Sequence, residues 1–318
     1  MIRTLRRALA AATLAAASLT ASAAAPQVGG ASPGFARTQI GDAEITALSD
    51  GSAVLPVDQL LLNISPERIS QALAYHHLAV PTPTSFNGFL VNTGGKLILI
   101  DAGAGQFFGP TLGKLADNLK AAGYQPEQVD EIYLTHLHPD HVGGLLRHGE
   151  RVFPNAVVRA DQQEVDYWLS EANLSRATGD DKGFFESATA ALAPYRAAGK
   201  LQTFSGDTNL APTLRAVVTH GHTPGHTIYV LESKGKKMVF WGDLIHVAAV
   251  QFSHPAVAIK FDVDPRNAVR QRKLAFDAAA KDGYAAAAAH LAFPGIGYVQ
   301  KQKNGTGYEW IPLPPEVR

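Results

Sequence analysis

The segment Thr135-His136-Leu137-His138-Pro139-Asp140-His141 places four metal-ligating side chains within six residues, directly after the apolar run Ile132-Tyr133-Leu134. Side chains of an extended chain alternate with period two, so His136 and His138 project to the same side. Pro139 then turns the chain, and Asp140 and His141 face a second point close by. A second cluster, His220-Gly221-His222-Thr223-Pro224-Gly225-His226, carries its own tight turn at Thr223-Pro224-Gly225. Imidazole and carboxylate donors without sulfur suit Zn²⁺, with Mn, Fe or Co as alternatives. Two such ions could share a hydroxide, because coordination lowers the pKa of water to roughly 7.

The absence of cysteine from the 318 residues makes these donors decisive. It excludes a disulfide scaffold, a thiolate zinc site and a cysteine nucleophile, so any metal must rest on His, Asp and Glu. With 28 Lys plus Arg against 28 Asp plus Glu, no cationic excess exists to neutralise phosphates, which argues against a nucleic-acid partner. Hydrophobic residues at 46% and charged residues at 18% are those of a chain with a packed core. Residues 1–25 read as a secretory signal: Arg3, Arg6 and Arg7, then Ala8 to Leu19, then the small-residue site Ala21-Ser22-Ala23. The apolar run is too short to span a bilayer. Removing the signal takes away three cations and leaves 25 bases facing 28 acids. The expected mature chain is slightly acidic, periplasmic or secreted, with no membrane span.

The donors need elements to carry them, and the sequence repeats one layout twice. Residues 26–39 read as a flexible lead-in, followed by a domain over 40–318. From Phe89, two β-rich runs flank the turn 93–96 and end at Asp101; a helical pattern over 111–122 closes at Gly123; Ile132 to Leu134 then delivers His136. The second half reads 228–232, a turn at Gly235, 238–241 ending at Asp243, a helix over 267–281 closing at Gly283, and 285–289 delivering His290. The alanines of 285–289 favour helix by propensity, and only the parallel with the first half argues for a strand there. Between the halves, 161–198 reads as two helices separated by a polar loop over 175–183, a candidate lid. Alternating strands and helices predict an α/β fold of two β-hairpin-helix-strand halves packed face to face. Polar residues just beyond buried strand ends then converge at one sheet edge.

The set HxHxDH, GHTPG, a strand-closing Gly-Asp and a final His resembles the metallo-β-lactamase superfamily over Ile40 to Tyr298. The resemblance implies an αββα sandwich. It also implies that His136, His138 and His222 hold one ion, that Asp140, His141 and His290 hold the other, and that Asp243 bridges them. Asp140 and Asp243 would hold the bridging hydroxide. Asp101 matches an aspartate that orients the HxHxDH loop, and His220 and His226 read as hydrogen-bonding neighbours of His222 rather than ligands.

Within that superfamily, FGPTLGKLADNLKAAGYQPEQVDEIYLTHLHPDHVGGL, FPNAVVRADQQE and LAFPGIGY resemble the methyl parathion hydrolase and dihydrocoumarin hydrolase branch, whose members are exported dinuclear hydrolases and commonly homodimers. The resemblance implies a substrate pocket walled by Phe108, Trp168 and Phe184. Leu61 stands where phosphotriesterases of the branch carry Arg, and His246, Ile259 and Phe261 stand where they carry Leu, Thr and Leu. The loop before Gly183 is one residue shorter. His246 has a rival reading as a hydrogen-bonding or general-acid residue. Bulk at 246 and 261 suits a flat aromatic lactone or aryl ester, which sets the expectation: a lactonase and arylesterase with minor organophosphate triesterase activity. The alternatives are a methyl parathion-type hydrolase, an acyl-homoserine lactonase, and a metal-binding protein on a decayed hydrolase fold.

Overall fold

A computed structural model describes residues 34–303, 305 and 307–313. The expected signal lies outside them. So does the first part of the expected lead-in, but residues 35–39 of that range are a strand. Phe35-Ala36-Arg37-Thr38-Gln39-Ile40 pairs along its whole length with Ala43–Leu48, which buries Thr38 and Ile40.

Seven strands form the first sheet in chain order: β1 (Phe35–Ile40), β2 (Ala43–Leu55), β3 (Thr82–Asn92), β4 (Leu97–Ile100), β5 (Glu131–Tyr133), β6 (Val157–Asp161) and β7 (Leu201–Phe204). β1 to β4 are antiparallel, and β4 to β7 are parallel. The second sheet is again in chain order: β8 (Thr208–Ala211), β9 (Leu214–Val218), β10 (Thr227–Ser233), β11 (Lys236–Phe240), β12 (Ala285–Ala287), β13 (Ile296–Lys301) and β14 (Tyr308–Pro312). There only β11 and β12 are parallel.

Strand alternation separates three cores. Phe89, Val91, Ile98 and Ile100 point inward and meet Tyr229, Leu231, Met238 and Phe240 of the second sheet. Leu90, Leu99, Ile132 and Val158 point outward onto α2 (Leu115–Ala121) and α4 (Asp180–Ala197). Ile228, Val230, Val239 and Trp241 point the other way, onto α5 (Pro265–Asp282). The result is the expected layering of helix, sheet, sheet, helix. Among the described residues, the remaining helices longer than four residues are α1 (Pro66–Tyr75) and α3 (Gln162–Trp168). None of the helices among the described residues is long and apolar enough to cross a membrane.

The alanine-rich run is a strand after all. Ala285 and Ala287 join the inter-sheet core while Ala286 faces α5, so pairing and burial on both faces override alanine's preference for helix. Two boundaries depart from expectation. The first helix begins at Leu115 rather than 111, because Gly113 takes φ +78°, outside helical space. The 175–183 loop is shorter, because α4 starts at Asp180 and places Asp181 in a first turn where the helix dipole favours an acid.

Candidate metal centre

β4, β5 and β6 run one way, and so do β9, β11 and β12. Asp101 follows β4, Thr135 to His141 follow β5, His222 follows β9, Asp243 follows β11 and His290 follows β12. Two donor groups result: His136, His138, His222 and Asp243, and Asp140, His141, Asp243 and His290, the donor atoms of each lying within 4.8 Å of one another. The two groups bring together the seven residues that the resemblance implies, with Asp243 in both. All are buried except Asp140, whose side chain is 13% exposed.

Four of the five imidazoles are aimed by the hydrogen bond at their far nitrogen. His141 donates Nδ1–H to Asp101 Oδ2 (2.9 Å), His222 to Asp262 Oδ1 (2.9 Å) and His290 to the Ser85 carbonyl (3.2 Å). Thr135 donates its hydroxyl to Asp101 (2.8 Å) and accepts from His136 Nδ1 (3.0 Å). Four Nε2 atoms are thereby fixed with lone pairs facing the centre, the arrangement metal-bound histidines show. His138 brings Nδ1 to 3.1 Å from His222 Nε2. Asp243 lies 3.7 Å from His136, 3.4 Å from His222, 3.2 Å from His141 and 3.1 Å from His290. A tetrahedral shell with bonds of about 2.0–2.1 Å sets its donors roughly 3.3–3.4 Å apart, and these spacings fall around that value. His136 Nε2, His141 Nε2 and Asp243 Oδ1 are buried without a hydrogen-bond partner. Orphaned donors of this kind are costly unless a cation satisfies them, so the residues present fit two divalent ions.

The electrostatics agree. Burial works against the charge on His141, yet Asp243, Asp140 and Asp101 outweigh it and hold its pKa well above the usual value. His222 and His290 are likewise raised, to about 9 and about 10, by carboxylates that overcome burial. Asp243 is held well below the usual range, its imidazole neighbours overcoming the opposing effect of burial. Burial, aided by the neighbouring imidazoles, instead holds His136 and His138 well below the usual value, so the carboxylates favour positive charge at three of the five imidazoles.

Asp101 sits in the left-handed region (φ +58°) and accepts from Thr135 N, Thr135 Oγ1 and His141, which ties it to both ends of the HxHxDH segment. His226 accepts from the Asp243 amide (3.1 Å) and shares a hydrogen with Thr219 Oγ1 (2.8 Å); it positions Asp243 and lies outside both donor groups. Gly242 makes this approach possible, since a Cβ there would stand 2.7 Å from Thr135 and 2.9 Å from His226 Nε2. His220 lies 3.9 Å from Asp161 and also outside both groups.

Of the expected pocket residues, Trp168 and Phe184 lie against His138, with ring centroids 5.2 and 5.0 Å away. Leu61 stands directly opposite Ile259 in a two-stranded ribbon, and Phe261 packs against the apolar cluster that contains both. The Phe261 ring is 6.1 Å from His246, which stacks on His290 at 5.2 Å and reaches within 3.0 Å of Asp243. Burial, opposed by Asp243, pushes His246 down to about 4, so it is neutral at pH 7. Phe108 is 45% exposed on the loop after β4, and no ring contact among the described residues ties it to the centre.

Sequence reasoning missed Asp262 and Arg272. Asp262 holds His222 through one oxygen and accepts from Ile259 N (3.1 Å) through the other. Arg272, fully buried, donates to the Leu244 carbonyl (2.5 Å) beside Asp243 and lies 4.0 Å from Asp262. Its signal was present: Ala268, Arg272, Ala275, Phe276 and Ala279 form the buried stripe of α5, and a cation on that stripe is anomalous. Asp262 carries no comparable signal. Asp262→Asn is expected to lower affinity for an ion at His222 about 10–100-fold; metal titration of stripped protein checks this.

Residues 81–289 match the metallo-beta-lactamase superfamily. Similar solved structures include a hydrolase, AbOPH, in the beta lactamase superfamily (40% identical, TM-score 0.86, covering 91% of this chain and 100% of that one). Another is AidC, a dizinc quorum-quenching lactonase solved with a product, N-hexanoyl-L-homoserine (27% identical, TM-score 0.82, covering 88% and 98%). Curated relatives include Ribonuclease TTHA0252 of Thermus thermophilus, 32% identical over 49% of this chain and 34% of its own length. The N-acyl homoserine lactonase AttM of Agrobacterium fabrum is 27% identical over 38% and 43%. The chain spans between 34% and 43% of the length of these two relatives. The family match covers well over half of the chain and takes in six of the seven convergent donors, and His290 follows its last residue: this chain belongs to the metallo-β-lactamase superfamily.

Proposed function

We propose that the chain is a dinuclear metal-dependent hydrolase of aromatic lactones and aryl esters. The observation that carries this reading is the set of apolar rings against the donor groups: Trp168 and Phe184 on His138 and, beside His246, Phe261, itself packed on the cluster that holds Ile259 and Leu61. A flat ring can lie against such a wall, whereas three substituents on a tetrahedral phosphorus have less room beside His246 and Phe261.

His136, His138 and His222 would hold one ion, Asp140, His141 and His290 the other, with Asp243 shared. When bound, two such ions supply Lewis acidity toward a carbonyl oxygen and acidify water to a pKa of roughly 7. The chain does the rest. Asp140 and Asp243 accept hydrogen bonds from the attacking water and so orient it. Asp140, whose side chain is 13% exposed against 3% for Asp243, does so from the less buried side of the centre. Trp168 and Phe184 exclude bulk water and align the leaving-group ring. A phenolate needs little protonation to depart, so the neutral His246 need only border the substrate.

The same arrangement supports minor turnover of phosphotriesters. A second reading, an acyl-homoserine lactonase, is favoured by the similarity to AidC along most of both chains. On one metal-loaded preparation, kcat/KM for dihydrocoumarin is expected to exceed that for methyl parathion and for N-hexanoyl-homoserine lactone by at least about tenfold, a margin of ~1.4 kcal/mol in transition-state binding. A preference for the acyl-homoserine lactone would establish the second reading, and a preference for the phosphotriester would defeat both.

A further inference from the structure

We propose that Glu164 is a positioning residue that locks the two metal-binding loops to each other across the two sheets. The proposal rests on the metal-centre reading above. Glu164 lies in the first turns of α3 and is fully buried. Its Oε1 accepts from the amide of Leu137, the residue between His136 and His138 (2.9 Å), and its Oε2 accepts from the amide of Gly225, three residues beyond His222 (2.7 Å). Leu137 follows β5 of the first sheet, and Gly225 lies in the turn between β9 and β10 of the second. One carboxylate thus bridges loops from the two halves of the fold, each loop supplying ligands to the same ion.

The surroundings are built for this contact. The Asp161 side chain accepts from Gln163 N (2.8 Å) and fixes the start of α3. A Cβ on residue 225 would stand 2.4 Å from Glu164 N, so glycine lets the turn lie directly on the helix. The buried carboxylate has no salt-bridge partner among the described residues; the two backbone amides compensate it, and charge-assisted bonds of this kind are the strong ones. Trp168, one helical turn on, carries its ring to 5.2 Å from His138, so the same helix meets the ligand loops and carries one ring of the aromatic wall. Glutamine could not replace this clamp, because its amide nitrogen would meet an N–H where an acceptor is required.

Zn²⁺ titration of metal-stripped protein against a chromophoric chelator tests the proposal. Wild-type protein is expected to take up two ions, and Glu164→Gln to lose about 10–100-fold in affinity for one of them, by the magnitude typical of groups that orient ligands, while keeping the other. Unchanged affinity for both, or an equal loss at both with a lowered Tm, would overturn the clamp. Wild-type protein that takes up no ions would overturn the metal reading and this proposal with it. Native-state hydrogen exchange on the wild-type chain reads the clamp without any variant. The Leu137 and Gly225 amides are expected to stay protected after metal removal, and loss of both protections on stripping would show that the ions, not Glu164, hold the loops.

Discussion

Asp243→Asn is expected to cost the protein both ions and nearly all hydrolysis. Asp243 is the one donor common to the two groups, and its carboxylate stands 3.0–3.7 Å from nitrogens of five imidazoles. The amide keeps the shape but removes the negative charge on which both halves of the centre converge. Breaking a buried charge pair from one side costs about 3–5 kcal/mol, which corresponds to roughly 10²–10⁴ in metal affinity. Metal content after dialysis should fall from two per chain to below one, with kcat/KM falling by roughly 10²–10⁴-fold by the same conversion. The far-UV spectrum should be unchanged, since His226 still has the backbone N–H of residue 243 to accept. Retention of two ions with full activity would remove Asp243 from the shared position.

Arg272→Met is expected to give the largest loss of stability away from the donors. The guanidinium is fully buried on α5 and donates to the carbonyls of Leu244 (2.5 Å), Val257 (2.6 Å) and Pro255 (3.3 Å), with Asp262 4.0 Å away. Burial pushes its pKa down to about 10, partly offset by Asp262, so it remains charged at pH 7. Methionine fills much of the volume but leaves Asp262 buried without its cation and the Leu244 carbonyl without its donor. The expected cost is about 3–5 kcal/mol, read from urea unfolding of metal-stripped protein. Arg272→Met with Asp262→Leu should be less destabilised than the two single changes summed, because removing both charges removes the desolvation penalty as well. A single-variant loss below about 0.5 kcal/mol, the range of ordinary surface changes, would show that the cation is dispensable.

These expectations draw unequally on the sequence. The HxHxDH and GHTPGH segments announce themselves because their ligands are local: period two places His136 with His138, and Pro139 turns Asp140 and His141 to the other group. Asp243 and His290 are legible through the repeated hairpin-helix-strand layout, which also recovers the alanine strand that propensity alone would misassign. The remaining contacts are long-range and leave weaker traces. Asp262 meets His222 across 40 residues, and Glu164 meets Leu137 and Gly225 across 27 and 61; no local period reports such pairings. Element ends were misplaced where one backbone angle decides, as at Gly113. The aromatic wall came from resemblance, and the structure brings Trp168 and Phe184 to His138 but not Phe108.

The most direct test of the dinuclear centre is metal content measured alongside turnover of dihydrocoumarin through a cycle of chelation, dialysis and Zn²⁺ addition. Two ions per chain are expected at the start, with turnover lost as they are removed and restored as two are returned. Turnover that persists in fully stripped protein, or a chain that never holds more than one ion, would contradict it.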